Sequence, residues 1–210
     1  VDSTVLMKNM SERAVDLAYG AVLFGSRGVA EEVAELEAEV DALKSRFEAW
    51  TLRAAAHVDD PVSLRGLVHL ASATEVISDA ALEISEGVLR GLEAHPVVAE
   101  AVEESDEVIV RIVVGDGAPL AGATLGDREV KTETGMRVIA VRRGGGDAVS
   151  DEGSVDETEG GSDEWSGEWV VSPSAWTQLR AGDVLLAKGT RAGAERLTAL
   201  AGAPDEFDVN

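Results

Sequence analysis

The chain has 210 residues, of which 45% are apolar, enough for one large domain or two of about 100 residues. It carries 40 acidic and 18 basic residues, a net charge of −22, and no cysteine. The lack of cysteine excludes disulfides, thiol catalysis and thiolate metal sites. The charge argues against a nucleic-acid partner, because phosphate binding needs a basic patch.

The type of charge is as informative as its amount. Fourteen of the basic residues are arginine and only four are lysine. Acid-rich, lysine-poor chains are typical of concentrated salt, where counterions screen self-repulsion. We therefore interpret the chain as a cytoplasmic protein of a halophile. No run of 18 uncharged apolar residues is present, so we expect no direct membrane insertion.

The first hundred residues show helical periodicity. Apolar residues spaced alternately by four and three predict helices at about 4–26, 29–56 and 61–92. Asp60 and Pro61 supply a cap and a first-turn proline for the third helix. Three long helices with short connections predict an antiparallel three-helix bundle. His95 and Pro96 then open a short helix or turn.

The third helix has an unusual inward seam. The seam is small and partly polar: Leu67, Ala71, Thr74, Ser78, Ala81, Ser85 and Val88. Small side chains let a neighbouring helix approach closely. The segment Glu75-Val76-Ile77-Ser78-Asp79-Ala80-Ala81-Leu82-Glu83-Ile84-Ser85-Glu86 resembles the third-helix signature of PhoU domains, which are three-helix bundles.

This resemblance implies a site for a divalent metal ion at Glu75 and Asp79. PhoU domains hold metal ions with an acid-x-x-x-Asp pair on this helix and with acids of another helix. Carboxylates four residues apart lie on one helix face, so both can reach one hard cation. Glu12 and Asp16 of the first helix have the same spacing and complete the predicted set. The alternative is that all four are solvated acids of a highly acidic chain.

The second half of the chain is rich in strand signals. β-Branched or apolar runs predict strands at 107–114, 136–142, 169–171 and 183–187. Helices are expected at about 124–132 and 190–201. The predicted fold class is therefore α+β with two domains, a PhoU-like bundle and a small mixed β-sheet with helices. The predicted boundaries are 1–104, 105–203 and an acidic tail at 204–210.

An acidic segment interrupts the predicted sheet. Residues 144–167 are mostly Gly, Ser, Asp and Glu, a composition that cannot bury enough apolar surface to order itself. We interpret this segment as a disordered loop between two neighbouring strands. Its three glycines, Gly144 to Gly146, lack the lysine and the strand-to-helix context of a phosphate-binding loop.

Three pieces of the second half resemble the TrkA-C domain, the C-terminal half of RCK modules. They are Pro119-Leu120-Ala121-Gly122-Ala123-Thr124-Leu125, Val138-Ile139-Ala140-Val141-Arg142-Arg143 and Leu179-Arg180-Ala181-Gly182-Asp183-Val184-Leu185-Leu186-Ala187-Lys188-Gly189. The resemblance covers about residues 106–201. It departs from the family at Ala118 and Ala123, where TrkA-C domains usually have a serine and often a lysine.

The TrkA-C resemblance implies a ligand-sensing dimer. Domains of this family usually dimerise, and some bind a nucleotide such as a cyclic dinucleotide. We expect such a ligand near Leu120 and Gly122 of the small-residue turn and near Arg142 and Arg143 at the strand end. The alternative for the two arginines is pairing with surface acids.

Together these patterns predict a regulatory protein that is not an enzyme. The resemblances imply a homodimer that regulates a membrane potassium channel or cation transporter, with a nucleotide and a divalent metal ion as possible ligands. One alternative is a PhoU-type scaffold in phosphate signalling. Another is a metal-dependent enzyme built on the bundle carboxylates.

Overall fold

The computed structural model describes residues 2–92, 105–144 and 168–202. The chain divides near residue 101 into two compact units, which we call the helical unit and the sheet unit. The turn expected at His95 and the predicted acidic tail lie outside the described residues. So does the predicted acidic loop, except for Gly144.

The helical unit is a bundle of three helices. They are α1 (Asp2–Leu23), α2 (Arg27–Ala55) and α3 (Arg65–Leu89), with a short 3-10 helix at Pro61–Leu64 before α3. Each α-helix packs against the other two. Ser26 caps α2 by accepting the backbone N–H of Val29 at 3.3 Å. The structure confirms the predicted helical bundle.

The inward face of α3 is made of short side chains. The buried positions are Ala71, Thr74, Ser78, Ala81, Ser85 and Val88. Each hydroxyl donates to a carbonyl of its own helix, at 2.7 Å for Thr74 and 2.9 Å for Ser78 and Ser85. These buried polar groups therefore need no partner from another helix.

One position expected in the inward seam of α3 is exposed: Leu67 is 38% exposed. It lies in the first turn of α3, before the buried positions that begin at Ala71. On α2, Thr51 is buried, with its hydroxyl donating to the carbonyl of Phe47 at 2.8 Å.

The sheet unit contains four strands in the order β1-β4-β2-β3. The strands are β1 (Glu107–Val113), β2 (Arg137–Arg142), β3 (Trp169–Val171) and β4 (Val184–Thr190). We expected a mixed sheet, but every described pairing is antiparallel. The helices are α4 (Val130–Thr134) and α5 (Arg191–Ala201). The α+β fold class with two units is confirmed.

The core of the sheet unit is continuous and aliphatic. Leu120, Leu179, Leu185 and Leu197 are fully buried within it. Four successive residues of β4, from Val184 to Ala187, are buried. This strand lies between β1 and β2, which explains why its sequence is an unbroken apolar run rather than an alternating one.

The helix expected at 124–132 is wrong in position. The structure has α4 at Val130–Thr134, and Thr124 forms an isolated bridge with Gln178. The backbone N–H of Gly126 donates to the carbonyl of Ala175 at 2.7 Å, which takes residues 124–126 out of helical geometry. Glu129 then adopts a left-handed φ of 42°, so α4 cannot begin earlier.

None of the helices in the described ranges is both long enough and apolar enough to cross a membrane.

Candidate functional site

The sheet unit has a pocket between the start of β2 and the turn after β3. Its volume is about 390 Å³, within the range of small-molecule sites. Val138 and Pro173 are half-buried and supply its accessible apolar lining. The side chains of Leu125, Val130 and Met136 are buried behind them. The mixture of apolar lining and a few polar groups suits a ligand with a ring and a charged group.

Backbone hydrogen bonds hold two parts of this pocket together. Leu125 N–H donates to the carbonyl of Thr177 at 3.1 Å, next to the bond from Gly126 to Ala175. A Cβ at Gly126 would lie 2.9 Å from the Ala175 carbonyl oxygen. A glycine at position 126 therefore lets the turn before α4 approach the turn after β3.

Basic side chains concentrate around this pocket. Lys131 and Arg137 line it, together with the acid Glu129. Arg137 lies opposite Lys188 in the β2–β4 register, so both side chains are on the same face of the sheet. Lys188 pairs with Glu107 at 3.2 Å. Two of the four lysines of the chain thus lie in or beside one pocket of a protein with a net charge of −22.

A second cavity, bordered by α4 and α5, has a different character. Its volume is about 550 Å³ and it is lined by three acids, Asp127, Glu129 and Glu133, and by two arginines. One of these, Arg196, donates to the carbonyl of Thr134 at 2.8 Å. With acids in excess, this cavity suits an anionic ligand less well than the pocket with Lys131 and Arg137.

The structure gives Arg143 a structural partner. Its Nη1 donates to Oδ2 of Asp183 at 2.9 Å and to the carbonyl of Gln178 at 2.8 Å. Asp183 is only 1% exposed, and it also accepts the backbone N–H groups of Gly144 and Arg180, at 3.1 and 2.9 Å. This ion pair, rather than a pocket, is what the structure shows at Arg143.

The other three predicted ligand residues also lie away from both cavities. Leu120 is fully buried in the core. Gly122 has a φ of +84°, and its N–H donates to the carbonyl of Leu179 at 2.8 Å. Arg142 ends β2 and is half-buried. The ligand roles of these residues and of Arg143 stay predictions.

Lys131 and Arg137 were not predicted from the sequence. Neither belongs to a motif, and their closeness to Pro173 depends on how two turns meet. The one signal in the sequence was composition: lysine is rare in this chain, so each lysine deserved a functional hypothesis.

In the helical unit, the predicted acid pair of α3 meets residues of α2. Glu75 forms an ion pair with Lys44, and Asp79 lies close to Glu37. Burial, reinforced by the nearby carboxylates of Asp41 and Asp79, raises the pKa of Glu37. The hydrogen bond with Glu75 raises the pKa of Lys44. Carboxylates thus crowd this α2–α3 surface, with Lys44 as a counter-charge.

The predicted residues of α1 have other surroundings. Glu12 pairs with Lys8 at 2.6 Å, and both side chains are about half exposed. Asp16 is only 5% exposed. The partner acids seen beside Glu75 and Asp79 include Glu37 and Asp41, which have the same four-residue spacing on α2.

This arrangement does not by itself form a metal centre. Within the described ranges, no group of three or more Asp, Glu or His side chains is placed to hold a metal ion. Lys44 forms an ion pair with Glu75, so its ammonium group neutralises part of the negative charge of this surface. The metal role of Glu75, Asp79, Glu12 and Asp16 stays a prediction.

Comparison with known families finds one match. The family model of the PhoU domain matches residues 4–88, which confirms the resemblance carried by the third helix. Curated proteins give no match to this chain.

Several solved structures resemble the chain at low identity. The RCK_C domain dimer of S. agalactiae BusR in complex with c-di-AMP is 16% identical, covers 47% of this chain and 94% of that one, and has a TM-score of 0.34. The GsuK RCK domain is 15% identical and covers 65% of this chain and 25% of that one, with a TM-score of 0.32. S. agalactiae BusR with its busAB-promotor DNA is 12% identical and covers 92% and 96%, with a TM-score of 0.33.

These identities and scores are too low to transfer a function. The chain thus joins a helical region that matches the PhoU domain to a four-stranded antiparallel sheet unit with a basic pocket.

Proposed function

We propose that the protein is a regulatory subunit whose sheet unit senses a small anionic ligand in the pocket lined by Lys131 and Arg137. The observation that carries this proposal is the pairing of two cations with an apolar lining in one pocket of about 390 Å³. In a chain with 40 acids, two basic side chains at one pocket give a phosphate group a local site of positive charge.

The proposed ligand class is a nucleotide, and a cyclic dinucleotide in particular. Val138 and Pro173 offer apolar surface to a base, while Lys131 and Arg137 offer charge to phosphate. The resemblance to TrkA-C domains supports the same class. Binding changes the protein only if the ligand prefers one arrangement of the sheet unit over another.

The proposed partner is a membrane potassium channel or cation transporter. The protein is proposed to act in the cytoplasm of a halophile as a homodimer, without enzymatic activity. These roles rest on the TrkA-C resemblance and on the acid-rich composition. Although the BusR structure contains DNA, a net charge of −22 opposes DNA binding by this chain.

A second candidate function is a scaffold in phosphate signalling. It is supported by the match of residues 4–88 to the PhoU domain. In this version the helical unit binds the partner, and a divalent cation displaces Lys44 from Glu75 to reach Glu75 and Asp79. Co-purification with a transporter supports the first function, and co-purification with a histidine kinase supports the second.

The ligand proposal is tested by thermal denaturation in concentrated potassium chloride. The panel contains adenine nucleotides, cyclic dinucleotides including c-di-AMP, and divalent cations. A ligand that binds only the folded state raises the melting temperature, by an amount that corresponds to about 2.7 kcal/mol when its concentration is 100 times the Kd.

Matched variants locate the site. We expect the nucleotide shift to disappear in the double variant Lys131→Ala, Arg137→Ala and to persist in Arg142→Ala, which removes an arginine from the other end of β2. A shift that persists in the double variant and disappears in Arg142→Ala would place the site at the end of β2 instead. No shift with any nucleotide in wild-type protein would contradict ligand sensing.

A further inference from the structure

The outward side of α3 carries an exposed apolar strip, which we call the outer seam. Its large members Leu70, Ile77 and Ile84 are 45%, 44% and 38% exposed. The full strip is Gly66, Leu70, Ala73, Ile77, Ala80, Ile84 and Gly87. None of these belongs to the buried face of α3. Next to the strip, Val76 is 61% exposed.

The outer seam has the spacing of a helix-pairing surface. Its positions alternate by four and three residues over the length of α3, which keeps them on one side of the helix. No charged residue interrupts the strip, although 28% of the chain is charged. Apolar residues that cover the solvent side of a helix indicate an interaction site rather than a solvated face.

Large and small residues alternate along the outer seam. Leu70, Ile77 and Ile84 repeat every seven residues, and the positions between them are Gly or Ala. In an antiparallel pair of two such helices, each large residue meets a small residue of the other helix. In a parallel pair, large residues would meet large ones and leave voids at the small ones.

We propose that the outer seam pairs with the outer seam of a second copy of this chain, antiparallel and about a two-fold axis near the middle of α3. The occupant is a second copy because the strip is complementary to itself. With the axis near residue 75, the large residues of each copy lie opposite the small residues of the other: Leu70 on Ala80, Ile77 on Ala73 and Ile84 on Gly66. Such mutual contact is what a two-fold interface requires. This proposal concerns the helical unit alone and is independent of ligand binding by the sheet unit.

The size of the outer seam sets the strength of the pairing. Twenty-one residue steps give a length of about 31 Å, and a helix about 10 Å wide gives a footprint of roughly 300 Å² on each chain. The two chains together would bury roughly 600 Å², which is less than stable specific interfaces bury. We therefore expect a reversible dimer contact that depends on protein concentration.

Salt is expected to strengthen this contact. Two chains with a net charge of −22 repel each other, and counterions screen that repulsion. The Gly and Ala positions also let the two backbones approach closely, as small side chains do at other helix interfaces.

The geometry is tested in the full chain with spin labels. The chain has no cysteine, so one introduced cysteine carries one label. We expect Val76→Cys, near the middle of α3, to give a label-to-label distance within about 20 Å in concentrated potassium chloride, since paired helices lie 8–10 Å apart. Arg90→Cys, just after α3, is expected to give roughly 35–45 Å, because antiparallel ends point apart.

Each other pattern contradicts the proposal. Short distances at both positions would mean a parallel pair. The absence of a short distance at Val76→Cys would mean that this face does not pair, even if the chain dimerises through its sheet unit or binds another protein there.

A charge substitution gives a second test. Ile77→Glu in the Val76→Cys background is expected to abolish the short distance, because it buries a carboxylate at the centre of the pair. The control is Leu52→Glu, which replaces a 75% exposed leucine on α2. Both substituted positions are exposed, so circular dichroism should show the wild-type helix content. Persistence of the short distance in Ile77→Glu, or its loss in Leu52→Glu, would overturn the assignment.

Discussion

The central strand of the sheet unit and the third helix of the helical unit bury different kinds of side chain. The sheet unit packs long aliphatic residues such as Leu120 and Leu185 around β4 and encloses the carboxylate of Asp183. In the helical unit, α1 and α2 bury large residues such as Met7 and Val33, but the inward positions of α3 are Ala, Ser, Thr and one Val. The short side chains of α3 let its neighbours pack closely, and its own large aliphatic residues lie on its exposed side.

The largest expected effect is the loss of Asp183. Asp183→Ala would leave the Arg143 guanidinium and two backbone N–H groups without the acceptor that they share. Removing one partner of a buried, hydrogen-bonded charge pair costs about 3–5 kcal/mol. We expect the melting temperature of the sheet unit to fall by more than about 10 °C in calorimetry.

The matched control for this variant is Asp116→Ala, which removes an exposed acid of the same unit. It should change the melting temperature by no more than a few degrees. If both variants behave alike, the Asp183 network does not hold the sheet unit together, and the contrast between the units rests on apolar packing alone.

The same substitution should have opposite signs in the two units. A Cβ on Gly193 of α5 would lie 2.6 Å from the carbonyl oxygen of Thr134 and 3.0 Å from Sδ of Met136. Gly193→Ala should therefore destabilise by about 1–3 kcal/mol. A Cβ on Gly87 of α3 meets no atom within 4 Å, so Gly87→Ala should stabilise by about 0.5–1 kcal/mol.

Urea denaturation of the two glycine variants measures both effects. Equal signs for Gly193→Ala and Gly87→Ala would remove the contrast between a glycine packed against backbone and a glycine that faces open space.

The smallest effect concerns the acid cluster between α2 and α3. Burial and neighbouring carboxylates raise the pKa of Glu37, so ionising it costs stability. The folded protein binds this proton more tightly than the unfolded chain, and its stability therefore falls as the pH rises from the usual value of 4.5 through the raised one. Glu37→Gln should raise the melting temperature by about 1–3 °C at neutral pH.

This gain should disappear below pH 4.5, where Glu37 is protonated in both states. Melting curves across this range, with the exposed Glu83→Gln as control, test the sign. A gain that persists in acid would show that the effect is not electrostatic.

Sequence patterns predicted most of the fold because they depend on local periodicity. Local periodicity predicted both the small inward seam of α3 and the apolar run of β4. The prediction of a helix at 124–132 was wrong because a hydrogen bond to Ala175, about fifty residues away in the chain, redirects the backbone at Gly126.

The candidate sites were harder to predict from the sequence than the fold. Glu37 was missed because acid pairs are common by chance in a chain with 40 acids, and only the packing of α2 on α3 selects this one. The ion pair of Arg143 was not predicted because the sequence did not show that Asp183 would be buried beside it. The pocket at Lys131 forms where the turn before α4 contacts the turn after β3, and no local sequence pattern predicts that contact.

The network at Asp183 has a use in protein engineering. It fixes Gly144, and the N–H of Arg143 donates to the carbonyl of Glu168 at 3.0 Å, so residues on both sides of the interval 145–167 are held by the fold. Closing a loop between fixed ends costs only about 0.6 kcal/mol for each doubling of its length. A fluorescent reporter inserted in this interval would be attached at the end of β2 and β3 opposite the pocket, because the pocket lies at the start of β2 and in the turn after β3. The insertion would therefore leave the pocket open to its ligand.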